Sequence, residues 1–151
     1  MDVAEGLAGY RVKQFSVFMA NKAGRLLDIV ALFAASNIHV VALTILDAAD
    51  SAIARIVVDD PDKAKLIFEE HAVAFSQCNL IVVELPNSAD DLRPVLTALL
   101  QAECNIHFVY SFMTRPRGKA ALALHVEDEE VAANVLVQND FKLLSQDDIT
   151  R

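Results

Sequence analysis

Cys104 and His107 are the neighbouring side chains of this sequence that are best suited to nucleophilic chemistry. A thiol and an imidazole act together only when they are within hydrogen-bond reach of each other. On a β-strand, a spacing of three residues places two side chains on opposite faces. This pair therefore does not predict a catalytic site.

The remaining options for reactive or metal chemistry are equally weak. Cys78 and Cys104 do not form a Cys-x-x-Cys motif, which a metal carrier or a redox pair would need, so we expect two reduced thiols. Phosphatase chemistry on a small α+β domain would need an Arg in an anion-binding loop, and Arg25 is the sole candidate. We expect a protein that is not an enzyme and that has no cofactor and no metal.

The charge balance argues against a nucleic-acid partner. The formal net charge is −8 at pH 7, whereas a protein that binds a nucleic-acid backbone needs clustered Lys and Arg. The compact basic cluster of this chain is Arg115, Arg117 and Lys119 in TRPRGK. We interpret it as the solvated tip of a β-hairpin; contact with an anion is the alternative.

No segment of the sequence predicts a membrane association. The apolar runs are too short to span a bilayer, and MDVAEGLAGYR lacks the basic start and apolar stretch of a signal peptide. The chain has 151 residues, of which 54% are hydrophobic, as expected of a packed globular protein. We therefore expect a cytoplasmic protein.

The triplet Asn-Ile-His occurs twice, at residues 37–39 and 105–107, which is an offset of 68 in the numbering. The helix predicted before the first triplet has an apolar stripe, and an offset of 66, not 68, maps this stripe onto a second one. The two stripes are Leu26, Ile29, Val30 and Phe33, and Leu92, Val95, Leu96 and Leu99. The sequence therefore contains an internal repeat, and in this repeat His39 corresponds to Asn105, not to His107.

Both copies of the repeat predict the same order of elements, βαββαβ, which is the ferredoxin-like pattern. From the third strand onward the offset is 68, because the hairpin around TRPRGK, which precedes that strand, is longer in the second copy. We predict an α+β fold of two tandem ferredoxin-like units, residues 11–76 and 77–151, with antiparallel sheets. Because a unit of about 70 residues has a marginal core, we expect the two units to pack together. The predicted strands are 12–20, 38–46, 52–58, 73–76, 80–86, 106–113, 120–126 and 141–144, and the first helix of each copy is 24–36 and 90–103.

Three stretches of the chain resemble the ACT domain family: NKAGRL at residues 21–26, CNIHFVYSF at 104–112 and NDFKLLSQDDI at 139–149. Together with the repeat, they resemble the small free-standing proteins that consist of two ACT units. The resemblance implies a non-catalytic regulatory or sensor protein that binds a small ligand, usually an amino acid, between two ACT units. Exposed sheet edges and small units also favour a homodimer.

The resemblance also implies which residues bind the ligand. In the family, the loop after the first strand supplies backbone groups, and an Asn at the start of the second strand of the neighbouring unit supplies side-chain hydrogen bonds. A helix N-terminus is suited to bind a carboxylate, and an amide both donates and accepts. The implied ligand-binding residues are Asn21, Lys22, Ala23, Gly24, Arg25, Leu26, Asn105, Ile106 and His107.

The second combination of loop and strand departs from the family pattern. The loop of the second copy has Asp90 and Asp91 where the first copy has Gly24 and Arg25, and the strand of the first copy has His39 in place of Asn. Two carboxylates would repel the carboxylate of an amino acid. We therefore expect one binding site per chain.

Simpler roles remain open for most of these residues. Asn21 is also suited to cap a helix, Asn105 to begin a strand, and His107, on the same strand face as Asn105, to be solvated or packed. We interpret Phe108, Tyr110 and Phe112 as core residues that face the helices together with Ile106. The alternative function is a ligand-free structural or interaction module that mediates oligomerisation.

Overall fold

The computed structural model describes residues 9–20 and 22–150, and of Lys22 it describes the backbone alone. The chain forms two compact units. The N-terminal unit is Lys13–Cys78, and the C-terminal unit is Asn79–Ile149 with the described residues up to Val12. None of the helices in the described part of the chain has the length and apolar character needed to cross a bilayer.

The order of elements is βαββαβ in each copy of the repeat, with one strand shared. The first copy is β1 (Arg11–Met19), α1 (Lys22–Ala35), β2 (Val40–Asp47), β3 (Ala52–Val58), α2 (Pro61–Glu70) and the beginning of β4 (Phe75–Leu85). The second copy is the rest of β4, then α3 (Leu92–Gln101), β5 (Ile106–Ser111), β6 (Ala120–Val126), α4 (Glu129–Gln138) and β7 (Leu143–Leu144), and a short helix α5 (Gln146–Ile149) follows. All strand pairs with a defined register are antiparallel. The predicted α+β fold class, with ferredoxin-like order and antiparallel sheets, is confirmed.

In the N-terminal unit, α1 and α2 pack on one face of the sheet formed by β2, β3 and β1. Alternate residues of β1, beginning with Phe15, are buried against helix residues such as Ile29 and Phe33. The centre of this core is Phe68, whose ring lies 5.4 Å from Phe15, 5.2 Å from Phe33 and 5.3 Å from Phe75 between centroids. Helix α2 begins at Pro61 after Asp60, whose carboxylate accepts from the backbone N of Lys63 at 3.1 Å, as expected of a capped helix start.

In the C-terminal unit, α3 and α4 pack in the same way on one face of β5, β6 and β4. Leu99 and Leu136 from the helices are buried against Ile81, Leu124 and other strand residues. Helix α4 begins after Asp128, which accepts from the backbone N of Val131 at 3.1 Å. The repeat therefore reproduces the cap as well as the core, which explains why both second helices begin at an acidic cluster.

Several element ends lie one or two residues from their predicted positions, and two regions differ in the kind of element that they form. The closing strand of the first copy and the first strand of the second copy, predicted as separate elements, form one strand, β4. The chain has no Gly or Pro between them to interrupt the extended conformation. The helix predicted over residues 90–103 begins at Leu92, because Ser88–Asp91 forms a 3₁₀ turn.

Candidate functional site

The first predicted segment of the ligand site lies at the start of α1. Asn21 lies outside the described residues. Helix α1 begins at Lys22, so Ala23 and Gly24 lie in its first turn, where both are exposed, and Arg25 and Leu26 are half-buried. The first turn contains no acidic residue. The first N–H groups of a helix have no partner within the helix. Those at the start of α1 can therefore donate hydrogen bonds to a carboxylate.

In the equivalent loop of the C-terminal unit, the carboxylate of Asp91 binds the loop itself. Asp91 is only 8% exposed. Its Oδ2 accepts from the backbone N of Asn87 at 2.7 Å, and its Oδ1 accepts from Asn87 Nδ2 at 3.2 Å. Asp90 is exposed and lies in the same 3₁₀ turn. The N–H group of Asn87 therefore already has a carboxylate partner from within the chain.

The second predicted segment of the ligand site lies at the start of β5. Its backbone hydrogen bond is equivalent to one at the start of β2. The carbonyl of Asn105 accepts from Glu127 N at 2.9 Å, and the carbonyl of His39 accepts from Asp59 N at 3.1 Å. The side chains form matching pairs as well. Asn105 Nδ2 donates to Glu127 Oε2 at 2.8 Å, and His39 Nδ1 lies 2.8 Å from Asp59 Oδ2.

These acidic partners are functional candidates that the sequence analysis missed. Asp59 and Glu127 each follow the third strand of their copy and occupy equivalent positions of the repeat. That shared acidic position was the available signal. Asn105 and Glu127 are both exposed, so the Asn105 amide keeps its carbonyl oxygen and a second N–H for a ligand.

A β-bulge interrupts the second strand of both copies at the same place. In β5, Ile106 pairs with Val126 and Phe108 pairs with His125, which leaves His107 as the extra residue. In β2 the register shifts in the same way between Val40 and Ala42. A bulge changes the strict alternation of faces along a strand. The residues after it therefore cannot be assigned to a face by counting in twos from Ile106.

The prediction that Phe108 and Tyr110 face the helices together with Ile106 is wrong, and the bulge is the reason. Ile106 packs against the core beneath the helices. Phe108 instead stacks on His125, with 4.8 Å between ring centroids, and Tyr110 stacks on Phe108 at 6.2 Å. His125 and Ala123, the strand partners of Phe108 and Tyr110, alternate along β6 with core residues, so this stack lies on the face away from the helices.

Cys104 and His107 lie in different environments, and they do not share a strand, because β5 begins at Ile106. Cys104 is buried in the core beneath the helices, where its Sγ lies 3.5 Å from the carbonyl oxygen of Asp128. His107 is exposed, and its ring lies 5.1 Å from that of His125 between centroids. Within residues 9–20 and 22–150, no group of three or more His, Cys, Asp or Glu side chains is arranged to hold a metal ion.

The family of this chain is shown by a sequence comparison. A family model described as an ACT domain pair matches residues 10–151. The chain therefore belongs to the ACT domain pair family.

Among solved structures, the chain is similar to the protein BT0572 from Bacteroides thetaiotaomicron, with 30% identity and a TM-score of 0.84; the match covers 94% of this chain and 97% of that one. It shares its fold with the regulatory subunit of aspartate kinase from Thermus thermophilus in its ligand-free form, at 13% identity and a TM-score of 0.59, over 86% and 93% of the two chains. It also shares its fold with a structure of aspartokinase alpha and beta subunits, at 16% identity and a TM-score of 0.56, over 87% and 93%. No curated protein matches the chain.

Proposed function

We propose that this protein is a non-catalytic regulatory or sensor protein that binds one amino acid per chain through its ACT units. The observation that carries the proposal is the difference between the two helix starts. The first turn of α1 has no acidic residue, whereas the counterpart loop contains Asp91, which accepts both hydrogen bonds from Asn87. Membership of the ACT domain pair family supports the regulatory role.

The ligand contacts that we propose come from two segments of the sequence, residues 21–26 and residues 105–107. Residues 21–26 supply the N-terminus of α1 to the carboxylate of the ligand, because unpaired N–H groups and the positive end of the helix dipole favour an anion. Asn105 supplies an amide that can accept from the ammonium group and donate to the carboxylate. Ile106 and His107 complete this segment.

The assembly and location proposed for the protein follow the same reasoning. We propose a cytoplasmic homodimer whose partner is a small molecule and that binds neither nucleic acid nor a membrane. The net charge of −8 disfavours binding to a polyanion.

A thermal-shift screen of the twenty amino acids tests the proposal. An amino acid that binds the folded state alone raises the midpoint of unfolding, and at a hundredfold excess over Kd it adds about 2.7 kcal/mol of stability. The decarboxylated amine of the best ligand serves as the control, because it cannot bind the helix start. If no amino acid raises the midpoint, or if the amine is as effective as the amino acid, the proposal fails.

The alternative function, a ligand-free interaction module, is favoured by one observation. The outer face of α3 exposes Leu92, Leu96 and Leu100, and the last of these is 76% exposed. They line a shallow cavity of about 380 Å³ together with Ala89 of the preceding 3₁₀ turn and with Arg93 and Thr97 of the same helix. An apolar helix face of this kind is typical of contacts between proteins. A dimer that requires this face, in a protein that binds no amino acid, would favour the alternative.

A further inference from the structure

We propose that the N-terminal unit contains a second binding site, which takes a small apolar molecule with one hydrogen-bond-donating group, a hydroxyl or an N–H. The site is a cavity between the C-terminal half of α1 and the start of β2, and His39 is its recognition residue. It lies within one unit and shares no residue with the proposed amino-acid site.

The cavity has the composition expected of a site for a small molecule. Its volume is about 380 Å³, which falls in the range of small-ligand pockets, roughly 300–1,000 Å³. Five of its seven lining residues are apolar: Val30, Phe33, Ala34, Ile38 and Val40. The other two are Asn37 and His39. An apolar wall with a few polar groups is the usual arrangement for binding an apolar body in one orientation.

His39 is held in one orientation by the carboxylate of Asp59. Oδ1 of Asp59 accepts from the backbone N of His39 at 2.8 Å, and Oδ2 lies 2.8 Å from Nδ1 of the ring. The side chain of Asp59 is 7% exposed and that of His39 is 36% exposed. The buried acid thus fixes both the main chain and the ring, while part of the ring stays accessible.

This arrangement determines which kind of ligand group the ring can bind. A carboxylate only accepts hydrogen bonds, so Nδ1 carries a proton when it bonds to Asp59. In the neutral ring the other nitrogen, Nε2, is then an acceptor. In that state Nε2 can accept from a donor on the ligand, such as a hydroxyl or an N–H group. The buried charge of Asp59 and the net charge of −8 both disfavour an anionic ligand.

Indole and 1-methylindole are a matched pair of probes, because they differ mainly in the N–H donor. Titration followed by two-dimensional NMR should show shifts at Val30, Phe33 and Val40 with indole, and a Kd about three- to tenfold weaker for 1-methylindole. His39→Ala should remove this difference, and His71→Ala, which changes another histidine, should leave it unchanged. The absence of indole-induced shifts at these residues would overturn the proposal.

Asp59→Asn is the sharper test, because it should reverse the preference. The backbone N of His39 can only donate, so the oxygen of the introduced amide must face it, and the N–H₂ of that amide then faces Nδ1. Nδ1 becomes the acceptor and Nε2 the donor. The variant should lose its preference for indole and bind acetophenone, which only accepts, more tightly than the wild type does.

The control for this reversal is Asp62→Asn, which makes the same charge change at an exposed position of α2. Both variants should keep the dispersed amide spectrum of the folded protein. An unchanged preference for indole in folded Asp59→Asn, or the same reversal in Asp62→Asn, would show that Asp59 does not set the specificity. The amino-acid titration is a separate measurement, so failure of one site does not imply failure of the other.

Discussion

His39 and Asn105 occupy the same position in the two copies of the repeat, and the side chain of each is bonded to an acidic residue at 2.8 Å. The partner of His39 is Asp59, which is buried, whereas the partner of Asn105 is Glu127, which is exposed. The two positions share a backbone arrangement but differ in side-chain chemistry. An imidazole fixed by a buried carboxylate and an accessible amide cannot bind the same ligand group equally well, so we expect the two halves of the molecule to have different functions.

Replacement of Asp91 by Ala should destabilise the protein by about 1–3 kcal/mol. The change removes the acceptor of two hydrogen bonds from Asn87 at a position that is 8% exposed, and leaves those donors without their partner. Urea unfolding measures the change in the free energy of unfolding.

Asp90→Ala is the matched control, because it removes the neighbouring, exposed carboxylate. It should change the free energy of unfolding by less than about 0.5 kcal/mol. Equal effects of the two substitutions would mean that Asp91 does not close the loop in the way we describe.

Replacement of Glu84 by Leu should leave the stability unchanged or raise it by about 1–4 kcal/mol. The residue is 3% exposed, and its Oε1 has no hydrogen-bond partner among the described residues. Arg117 Nε and Lys119 Nζ lie 3.8 and 4.0 Å from the carboxylate. A buried carboxylate with such distant cations has a large desolvation penalty and little compensation. A loss of more than about 1 kcal/mol in thermal or urea unfolding would contradict this account.

Replacement of Phe68 by Ala should cost about 3–5 kcal/mol. Phe68 is fully buried, and its ring contacts those of Phe15, Phe33 and Phe75, so the change leaves a cavity at the centre of the N-terminal core. On the same helix, Leu66 is 59% exposed, and Leu66→Ala should cost less than about 0.5 kcal/mol. If chemical unfolding showed that the two substitutions lower the free energy of unfolding by similar amounts, Phe68 would not be the centre of the core.

The fold could be predicted from the sequence because the repeat constrains it twice. The apolar stripe of α1 recurs in α3, and the cap of α2, Asp60, recurs as Asp128 before α4. Patterns of this kind depend on local periodicity and capping, which a sequence shows directly. The class of the fold and the order of its elements could therefore be predicted from the sequence.

The arrangement of side chains near the candidate site was harder to predict from the sequence. The bulge at His107 adds one residue between two pairs of strand partners, so period-two counting assigned Phe108 and Tyr110 to the wrong face. The bond from Asn87 to Asp91 and the pairing of His39 with Asp59 depend on three-dimensional proximity. The sequence identified Asp91 as unfavourable for a ligand carboxylate, but it did not indicate that Asp91 bonds to its own loop.

Calorimetric titration of the amino acid selected by the thermal screen tests the central claim most directly. We expect one site per chain. Asn105→Ala should weaken binding by about ten- to hundredfold, because it removes a polar partner worth roughly 1–3 kcal/mol from a desolvated ligand, whereas His39→Ala should have a much smaller effect. Two equal sites per chain, or a larger loss from Asn37→Ala than from Asn105→Ala, would contradict the asymmetric site.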